Sequence, residues 1–444
     1  MTEDELKKRT KAFGMMQLKA KQQKNIFIII SVFLSLCLLS ASIVQAVDVS
    51  SSLNPVGSGA RAAGMGGAFI GVADDATAAS WNPAGLVQLE RPEISVVYSY
   101  FQRDQSYSSS SHPEIESENR MDSNGVNYAS IAYPFSLFDR NMIISVTYQR
   151  LYEMNKDVSF RYFDDIADIY VDHHFLQEGY LYALSPAMAI RVTPVLYIGA
   201  TLNLWDNYLG RNGWEIEYTQ ITLSDDYSDV LAEEANSFKG TNANFGFLWK
   251  INKSLTLGGV YKTPFSGDLE RNISIYEVGS SSPFVEYDLD LTLKMPPSYG
   301  LGLSYRQSDT WTMAFDVYKT DWSRFILVDE SGNEYNPFDY SPISEGRLKD
   351  TIQVRLGSEY LFMKDKYVVP VRVGLFYDPE SQKESLDDYY GFSLGAGLVS
   401  GKIALDIAYQ YRIADNVTGD ISALEGTSAD IKQHLVMTSA IYYF

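Results

Sequence analysis

The sequence has very little cysteine, and this excludes a disulfide or cysteine–metal framework. Among 444 residues there is one cysteine, Cys37, which lies inside an N-terminal apolar stretch. Leu36 precedes it, whereas a lipoprotein signal needs a small residue there. The remainder of the chain is free of cysteine, so neither disulfides nor thiolate metal sites stabilise its fold.

Basic residues are also scarce. Removing residues 1–46, with their seven basic and three acidic side chains, leaves 29 basic against 53 acidic groups. This balance argues against nucleic-acid binding. The acidic clusters, such as Asp164, Asp165, Asp168 and Asp172, lie in polar stretches. We interpret them as solvated loops; divalent cations bridging them to surface lipid phosphates are the weaker alternative.

Long uncharged runs are absent except for one at the N-terminus. It spans Asn25 to Val47, follows several lysines and contains "VQA" ending at Ala46. A short apolar core before a small-residue cleavage site predicts a secretory signal peptide over residues 1–46. The rival interpretation is an uncleaved anchor, because the run is long enough to span a bilayer. Initiation at Met15 or Met16 would give the signal an ordinary length.

Residues that could form a catalytic, metal or nucleotide site are few and poorly spaced. Of the four histidines, His173 and His174 are adjacent, and neighbours on a strand face opposite sides. His434 lies in a predicted strand, with no nucleophile elbow around it. No Gly-Lys-Ser/Thr follows the glycine run near Gly64. The sequence therefore predicts no enzyme, no metal and no cofactor.

Strict alternation over segments of about ten residues is what the chain has instead, as in membrane β-strands. In "KIALDIAYQYR" (402–412), one face carries isoleucine, leucine and tyrosine and the other carries alanine, glutamine and charged residues. Segments 196–205 and 352–360 follow the same pattern. A soluble β-sandwich also alternates, so the connections between strands must decide.

The connections alternate between short and long. Six short links lie at 135–140, 192–195, 251–254, 307–310, 363–367 and 399–402, and seven long polar links lie near 102–123, 154–175, 207–237, 267–286, 321–349, 378–388 and 414–430. Short periplasmic turns and long external loops are typical of outer-membrane barrels. We predict a 14-stranded antiparallel transmembrane β-barrel over residues 92–444. Its eighth strand is kinked at Pro296 and Pro297, which cannot donate to the ladder.

Charged side chains occur on the face predicted to line the lumen, where they can pair or hydrate rather than meet lipid. They are Asp316, Arg355, Glu359, Arg372, Asp406 and Arg412. A barrel of 14 strands is too wide to be filled by its own side chains, since about eight strands is the filled case. The lumen must therefore be plugged or form an open pore.

The C-terminal stretch "VMTSAIYYF" carries Tyr442 and Phe444 on one face. It resembles the signal that the outer-membrane barrel-assembly machinery recognises. The expected partners are this machinery together with outer-membrane lipid and lipopolysaccharide.

The candidate plug is the glycine- and alanine-rich region 47–91, which precedes the first strand. Asp74 or Asp75 is expected to cap a short helix that continues through Ser80. The helix must end at Asn82, because a residue before proline is excluded from the α region. The stretch "NPVGSGARAAGMGGAFIGVADDATAASWNPAGL" (54–86) resembles the N-terminal hatch of the FadL/TodX family of outer-membrane hydrophobic-compound transporters.

The resemblance rests on Asn82-Pro83-Ala84 after Asp74-Asp75-Ala76. It continues in residues 296–325 and the terminal strands, and so covers the mature chain. It implies passive uptake of long-chain fatty acids or of aromatic or aliphatic hydrocarbons through a ligand-gated hatch in the Gram-negative outer membrane. Asn82, Pro83 and Ala84 would form the gating turn, with Asp74 and Asp75 beside it and Phe69 and Trp81 as apolar neighbours of the ligand.

One departure from the family concerns its third strand, whose kink opens the wall laterally. Residues 141–152 contain neither glycine nor proline, so lateral exit is not carried over. Two other functional classes stay open. A structural or assembly barrel would partner secretion proteins, and a general porin would conduct ions, although an apolar plug argues against the porin.

Overall fold

The computed structural model describes residues 57–115, 117–164, 168–223, 228–338, 340–346, 348–383, 387–418 and 427–444. The predicted signal peptide and residues 47–56 of the predicted plug lie outside these ranges. Within them, no helix is long and apolar enough to cross a bilayer.

The chain begins with short helical elements. Helix α1 spans Ala60–Gly64, helix α2 spans Ala78–Trp81, and a 3-10 helix spans Pro83–Gln88. Asn82 has φ −150° and ψ 102°, so α2 ends before Pro83 as predicted.

The predicted helix cap is wrong. Thr77 is the residue before α2, and its side chain makes no capping bond. Asp75 instead accepts hydrogen bonds from the Thr77 N–H at 2.8 Å and the Thr77 hydroxyl at 2.6 Å. Asp74 forms an ion pair with Arg61 at 2.5 Å. Both carboxylates are therefore engaged before the helix begins, and neither is free to cap it.

The described residues also contain fourteen antiparallel strands, several of which are divided into two pieces. They are β1 (Glu93–Ser109), β2 (Ser117–Leu137), β3 (Arg140–Glu153 and Lys156–Asp164), β4 (Ile169–Arg191), β5 (Leu196–Trp205 and Gly213–Thr222), β6 (Val230–Lys250), β7 (Leu255–Lys262 and Phe265–Glu277), β8 (Val285–Met295 and Ser298–Arg306), β9 (Trp311–Thr320), β10 (Thr351–Met363), β11 (Val368–Asp378), β12 (Tyr389–Ser400), β13 (Ile403–Thr418) and β14 (Thr427–Tyr443). The connection after β9 adds two short strand pieces, Ile326–Val328 and Glu334–Tyr335, and two 3-10 turns, Trp322–Arg324 and Ile343–Glu345.

The sheet closes on itself, which confirms the predicted barrel. β1 pairs with β2 and also with β14, where Glu93 lies opposite Tyr443. Both pieces of a divided strand share a neighbouring strand: both pieces of β8 pair with β7, and both pieces of β3 pair with β4. The break in β8 falls at Pro296 and Pro297, because proline has no N–H to donate to the ladder.

All six short turns lie where the sequence predicts them, but four of the predicted long loops are largely strand. β1 continues to Ser109 and β2 begins at Ser117, although a loop was expected over 102–123. β3 and β4, β5 and β6, and β7 and β8 extend likewise into the expected loops. Backbone pairing continues beyond the apolar band, so the ladder persists where apolar alternation has ended.

The strands present alternate residues to the two sides of the wall. Along β13, Ile403, Leu405 and Ile407 are about half exposed, whereas Ala404 and Asp406 are buried. The six charged residues predicted to face the lumen follow the buried set, and five of them are less than a tenth exposed. The outward set is apolar, as a lipid-facing surface requires.

Candidate functional site

Residues 57–91, here called the N-terminal segment, are almost entirely buried. Helix α1 packs against β11, β12, β13 and β14, and the 3-10 helix packs against β3, β4, β5 and β6. The segment thus contacts strands on widely separated parts of the ring, so it lies across the barrel interior. Its contacts lie toward the end of the barrel that carries the short turns.

The wall is built to let this segment approach closely. Inward-facing glycines on seven strands contact it, and we call seven of them, one from each strand, the wall glycine ring. A Cβ at Gly199 would lie 2.5 Å from the Pro83 carbonyl carbon, and one at Gly395 would lie 2.9 Å from the Gly64 Cα. Glycine leaves room there for backbone to touch backbone. The ring consists of Gly199, Gly246, Gly258, Gly302, Gly357, Gly374 and Gly395.

Polar side chains of the wall hold the backbone of the segment. The Asp316 carboxylate accepts hydrogen bonds from the N–H groups of Phe69 (2.6 Å) and Ile70 (2.8 Å). Arg355 donates from Nη1 to the Gly66 carbonyl at 2.9 Å. Two further wall residues, Ser393 and Gln410, bond Gly64, Gly66 and Ala63. The wall therefore supplies hydrogen-bond partners to the backbone of the segment between Ala63 and Ile70.

A row of side chains of alternating charge also links helix α1 to the wall. Arg61 of α1 donates to Glu359 at 2.9 and 3.0 Å. Arg372 bonds the same Glu359 at 2.6 Å and Asp406 at 2.6 Å. The structure thus brings together three of the predicted lumen residues, and Arg61 is a partner that the sequence reasoning missed. Nothing in the sequence distinguishes Arg61 except that it is the lone charge in a Gly/Ala-rich run.

Asp75 is buried beside this chain. Burial raises the pKa of its carboxyl above the ordinary value, while the Arg61 charge and the Thr77 hydrogen bonds partly oppose that rise. Asp74, which is less buried, forms the closer ion pair with Arg61. The predicted Asp-Asp pair thus has two different environments.

Asn82 joins the segment to itself and to the wall. Its Oδ1 accepts from the Ala84 N–H at 3.2 Å, and its Nδ2 donates to the carbonyls of Ile70 (3.0 Å) and Phe247 in β6 (2.9 Å). Gly246 is the wall residue opposite the Asn82 amide, and a Cβ there would clash with it. Asn82 therefore fixes the turn that the sequence reasoning singled out and ties it to β6.

A cavity of about 170 Å³ lies between the segment and strands β1–β3, β10, β11, β13 and β14. Trp81 lines it, whereas Phe69 packs edge-on behind Trp81 with ring centres 5.8 Å apart and is fully buried. The volume resembles the cavity of about 150 Å³ that holds one benzene molecule in an engineered protein. Its apolar walls are Trp81, Phe101, Leu151, Phe376, Leu435 and Met437.

Charged groups also line this cavity. Arg150 and Glu153 of β3 form an ion pair at 2.5 Å, and Arg412 pairs with Asp378 at 3.1 Å. Arg355 faces the same space. The predicted lumen residues thus divide into a set that holds the segment and a set that faces the cavity, and Arg355 belongs to both.

The half of the interior toward the long connections is filled differently. Its core is a cluster of aromatic and aliphatic side chains that includes Trp205, Trp214 and Phe238. The connection after β9 folds into it through Trp322 and Phe325. A smaller cavity of about 60 Å³ lies next to this cluster and is lined by Trp205 and Trp322. It shares Gln149 and Leu151 with the larger cavity.

The profile of a protein family described as outer membrane protein transport protein (OMPP1/FadL/TodX) matches residues 56–440. The chain belongs to the FadL/TodX family. It is therefore an outer-membrane β-barrel of a family of transport proteins, which confirms the resemblance drawn from the sequence. A search of curated protein sequences finds no match.

Solved structures show the same fold at low identity. A Pseudomonas aeruginosa FadL homologue is 14% identical with a TM-score of 0.60, over 89% of this chain and 99% of that chain. The Pseudomonas putida toluene transporter TodX is 13% identical with a TM-score of 0.55, over 90% and 100%. The Ralstonia pickettii toluene transporter TbuX is 15% identical with a TM-score of 0.53, over 88% and 99%. At these identities the likeness concerns the fold alone.

The third strand of this FadL/TodX-family barrel is interrupted, although residues 141–152 contain neither glycine nor proline. The break falls at Met154 and Asn155, and the register shifts between Arg150 and Tyr152. Side chains replace the lost ladder bonds, because Gln177 donates to the Met154 carbonyl and Asn155 accepts from the Gly179 N–H at 2.8 Å. The break thus lies just beyond residues 141–152, and only the register shift falls within them.

The C-terminal residues predicted to be an assembly signal lie on the outer face. Tyr442 and Phe444 are exposed on the lipid-facing side, with ring centres 5.0 Å apart. β14 pairs with β1 and β13, so it completes the ring. Recognition of this end by the assembly machinery stays a prediction.

Proposed function

We propose that this protein admits hydrophobic small molecules through the outer membrane by passive diffusion, and that its N-terminal segment is the gate. The observation that carries the proposal is the cavity beside Trp81, whose apolar wall is shared between the segment and the barrel. Apolar lining supplies affinity for a hydrophobic ligand, and a concentration gradient supplies the direction. The toluene transporters TodX and TbuX, which share the fold, support the substrate class.

The proposed division of the chain is a signal peptide over 1–46, a hatch over 47–91 and a barrel over 92–444. The hatch interface consists largely of small residues and hydrogen bonds, so the segment can shift by exchanging those bonds. Ligand binding would favour the shifted arrangement to the extent that the ligand binds it more tightly. N-terminal sequencing of the mature protein tests the first boundary.

The gating turn is Asn82, Pro83 and Ala84. In the Asn82→Asp variant the side chain keeps an acceptor for the Ala84 N–H but loses both donors, to Ile70 and Phe247. We expect uptake of radiolabelled toluene by cells to fall by about tenfold, equivalent to about 1.4 kcal/mol. Barrel assembly, measured by heat-modifiable gel mobility, should be unchanged. Normal uptake by this variant contradicts the gating role.

The proposed exit for the ligand is lateral, between β2 and β3. The ladder between these strands runs from the turn only as far as Tyr128 and Gln149. Beyond that point Asn127, Arg150 and Glu153 line the cavity. A cysteine pair at Asn127 and Leu151, oxidised to a disulfide, should reduce uptake, and reduction should restore it. Uptake that is indifferent to the disulfide favours exit past the segment.

Mass spectrometry of organic extracts from the detergent-purified mature protein tests the binding function directly. A stoichiometric fatty acid or hydrocarbon, missing from an unrelated empty barrel, is the expected result. A clean extract after incubation with mixed hydrophobic compounds contradicts it. That outcome favours a structural or assembly role, with secretion proteins as partners, over transport.

A further inference from the structure

The end of the barrel that carries the short turns differs in charge from the rest of the chain. Short turns face the periplasm in outer-membrane barrels. We call this end the periplasmic rim; it consists of residues 90–92, 137–141, 191–196, 249–255, 305–311, 362–368, 399–403 and Phe444. The rim has nine basic side chains against four acidic ones and the terminal carboxylate, whereas residues 47–444 have 29 basic against 53 acidic groups. The rim is therefore a positive region of a strongly negative protein.

The basic residues of the rim are spread over the whole circumference. Each of the six short turns carries at least one of them, and another precedes β1. Seven of the nine are exposed and two are half-buried. Glu93 follows the first range of the rim but is buried, so it does not offset the charge of this surface. The nine residues are Arg91, Arg140, Arg191, Lys250, Lys253, Arg306, Lys364, Lys366 and Lys402.

Hydrogen bonds join each turn to the next, so the basic residues form a closed ring. The Arg306 N–H, for example, donates to the Ser254 carbonyl at 2.7 Å and links the turn after β8 to the turn after β6. Every such bond runs to a backbone carbonyl of the neighbouring turn. With the donor first, they join Arg140 to Val192, Lys250 to Val195, Arg306 to Ser254, Leu361 to Thr310, Ser400 to Lys366, Tyr443 to Lys402 and Phe444 to Pro92.

The positive charge of the rim is not neutralised by the protein. Within the part of the chain that the structure describes, none of the nine basic side chains forms an ion pair with a carboxylate. Exposed basic side chains toward the long connections do form such pairs: Lys239 lies 3.0 Å from Glu270, and Lys294 lies 2.7 Å from Glu334. The rim therefore offers its charge to an anion outside the chain.

Large apolar side chains accompany these charges on the outer surface. Phe138, in the turn after β2, is 88% exposed, and Trp249 and Trp311 lie on the lipid-facing side beside the turns after β6 and β8. Lys402 Nζ lies 6.0 Å from the centre of the exposed Tyr442 ring. Aromatic rings of membrane proteins lie at the level of the lipid headgroups. The basic residues beside them are therefore at the level of the lipid phosphates.

A partner that surrounds the barrel accounts for this distribution. A protein docked on one side would meet the basic residues of only a few adjacent turns, whereas lipid headgroups meet all the turns at once. Basic residues close to a membrane surface are attracted by anionic lipids. The rim is also continuous with the apolar outer face of the strands, which already faces lipid acyl chains.

We propose that the periplasmic rim is a binding surface for anionic phospholipids such as phosphatidylglycerol in the periplasmic leaflet, with the lysine and arginine side chains of the short turns as partners of the headgroups. This surface does not depend on which compound the barrel transports.

Quenching of tryptophan fluorescence by brominated lipids tests the proposal. The mature protein is reconstituted in phosphatidylcholine bilayers that contain increasing fractions of brominated phosphatidylglycerol or of brominated phosphatidylcholine with the same acyl chains. The signal is the fluorescence that a W249F/W311F variant lacks, so buried tryptophans do not contribute. We expect phosphatidylglycerol to bind beside these two residues at least about fivefold more tightly, as one basic residue near an anionic lipid allows.

A matched pair of variants separates the charge of the rim from the charge of the whole protein. K253Q/R306Q removes two basic side chains on the adjacent turns beside the two tryptophans, and it should remove most of the preference for phosphatidylglycerol. K239Q/K294Q removes the same charge from the opposite half and should leave the preference unchanged. Heat-modifiable gel mobility checks that each variant is assembled.

Salt provides a second measurement on the unaltered protein, which carries the test if K253Q/R306Q fails to assemble. At about 1 M NaCl the screening length is about 3 Å, so exposed charges interact weakly beyond contact. The preference for phosphatidylglycerol should then fall toward one.

Three outcomes overturn the proposal. Equal quenching by the two brominated lipids at low salt means that the rim does not select anionic headgroups, and it leaves an acidic periplasmic protein as the partner that fits the charge. A preference that survives both K253Q/R306Q and high salt means that the basic residues are not its cause. An equal loss of preference in K239Q/K294Q assigns the effect to the net charge of the protein.

Discussion

The two halves of the barrel interior are filled by different means. Near the short turns, the N-terminal segment lies with its backbone against the wall glycine ring and is held by polar side chains such as Asp316 and Arg355. Toward the long connections, large side chains such as Trp205, Trp214 and Phe238 fill the space themselves.

A ring of 14 strands is too wide to be filled by its own side chains, and the two halves solve this problem in different ways. Side-chain packing has some freedom, because neighbouring rotamers can adjust to a change in volume. Contact between two backbones has no such freedom. The packing near the short turns therefore depends on where each backbone atom lies and on hydrogen bonds, whereas the packing toward the long connections depends on total side-chain volume. Elements held by exchangeable polar bonds over small residues are the ones suited to move.

The largest effect on the half near the short turns is expected from a side chain placed in the wall glycine ring. A Cβ at Gly374 would overlap the backbone of Met65 and Gly66. We expect Gly374→Val to abolish docking of the segment, measured as loss of its protection from hydrogen exchange and protease. The neighbouring Leu375→Val, which changes a lipid-facing residue, is the control. A protected segment in Gly374→Val would show that the contact is not tight.

Truncation of an aromatic side chain should affect only the other half. Phe238 is fully buried and packs edge-on against Trp205 and Phe265, with ring centres 6.1 Å apart in each case. Phe238→Ala should cost about 3 kcal/mol, because it leaves a cavity in a packed core. Hydrogen exchange should rise in β5–β7 near this site but stay unchanged in the N-terminal segment. Phe245→Ala on the lipid-facing side of β6 is the comparison. A simultaneous loss of segment protection would mean that the halves are coupled.

Removal of a single polar contact should weaken the segment without releasing it. Asp316→Ala deletes the acceptor for two backbone N–H groups, at Phe69 and Ile70. We expect a cost of about 2 kcal/mol, since hydrogen bonds to charged groups are worth about 1.5–3 kcal/mol each and water replaces part of this. Exchange of these two amides should accelerate by about thirtyfold. Unchanged exchange rates would assign their protection to packing alone.

The smallest expected effect is a pH dependence of docking. Burial raises the pKa of Asp75 above its ordinary value of 3.8, so the docked segment favours the protonated form. The contribution of this group to docking is then fully present below that ordinary value and is lost as the pH rises through the raised pKa. Asp75→Asn should flatten the dependence of segment protection on pH above that ordinary value. An identical pH profile for the variant would assign the dependence to another group.

Local rules predicted much of this barrel. The six short turns, the even strand count and the break at Pro296 and Pro297 follow from alternation and from the missing proline N–H. The end of α2 at Asn82 follows from Pro83. These features depend on residues near one another in sequence.

Contacts between distant parts of the chain could not be predicted in the same way. Arg61 and Glu359 are 298 positions apart and meet only because the ring closes. The role of the wall glycines cannot be predicted from their own strands, because it depends on the N-terminal segment that lies opposite them. The sequence predicts a helix cap at Asp74 or Asp75, because it does not reveal Arg61 and Thr77 as competing partners. The predicted strand ends are wrong because pairing outlasts the apolar pattern.

The wall glycine ring also has a consequence for the order of biogenesis. Its members are spread from β5 to β12, whereas the segment they receive precedes every strand that the structure describes. The surface that accepts the segment does not exist until those strands have joined, so the segment is translated before the strands but docks after them. The segment is rich in glycine and alanine, so it exposes little apolar surface for aggregation while the barrel forms.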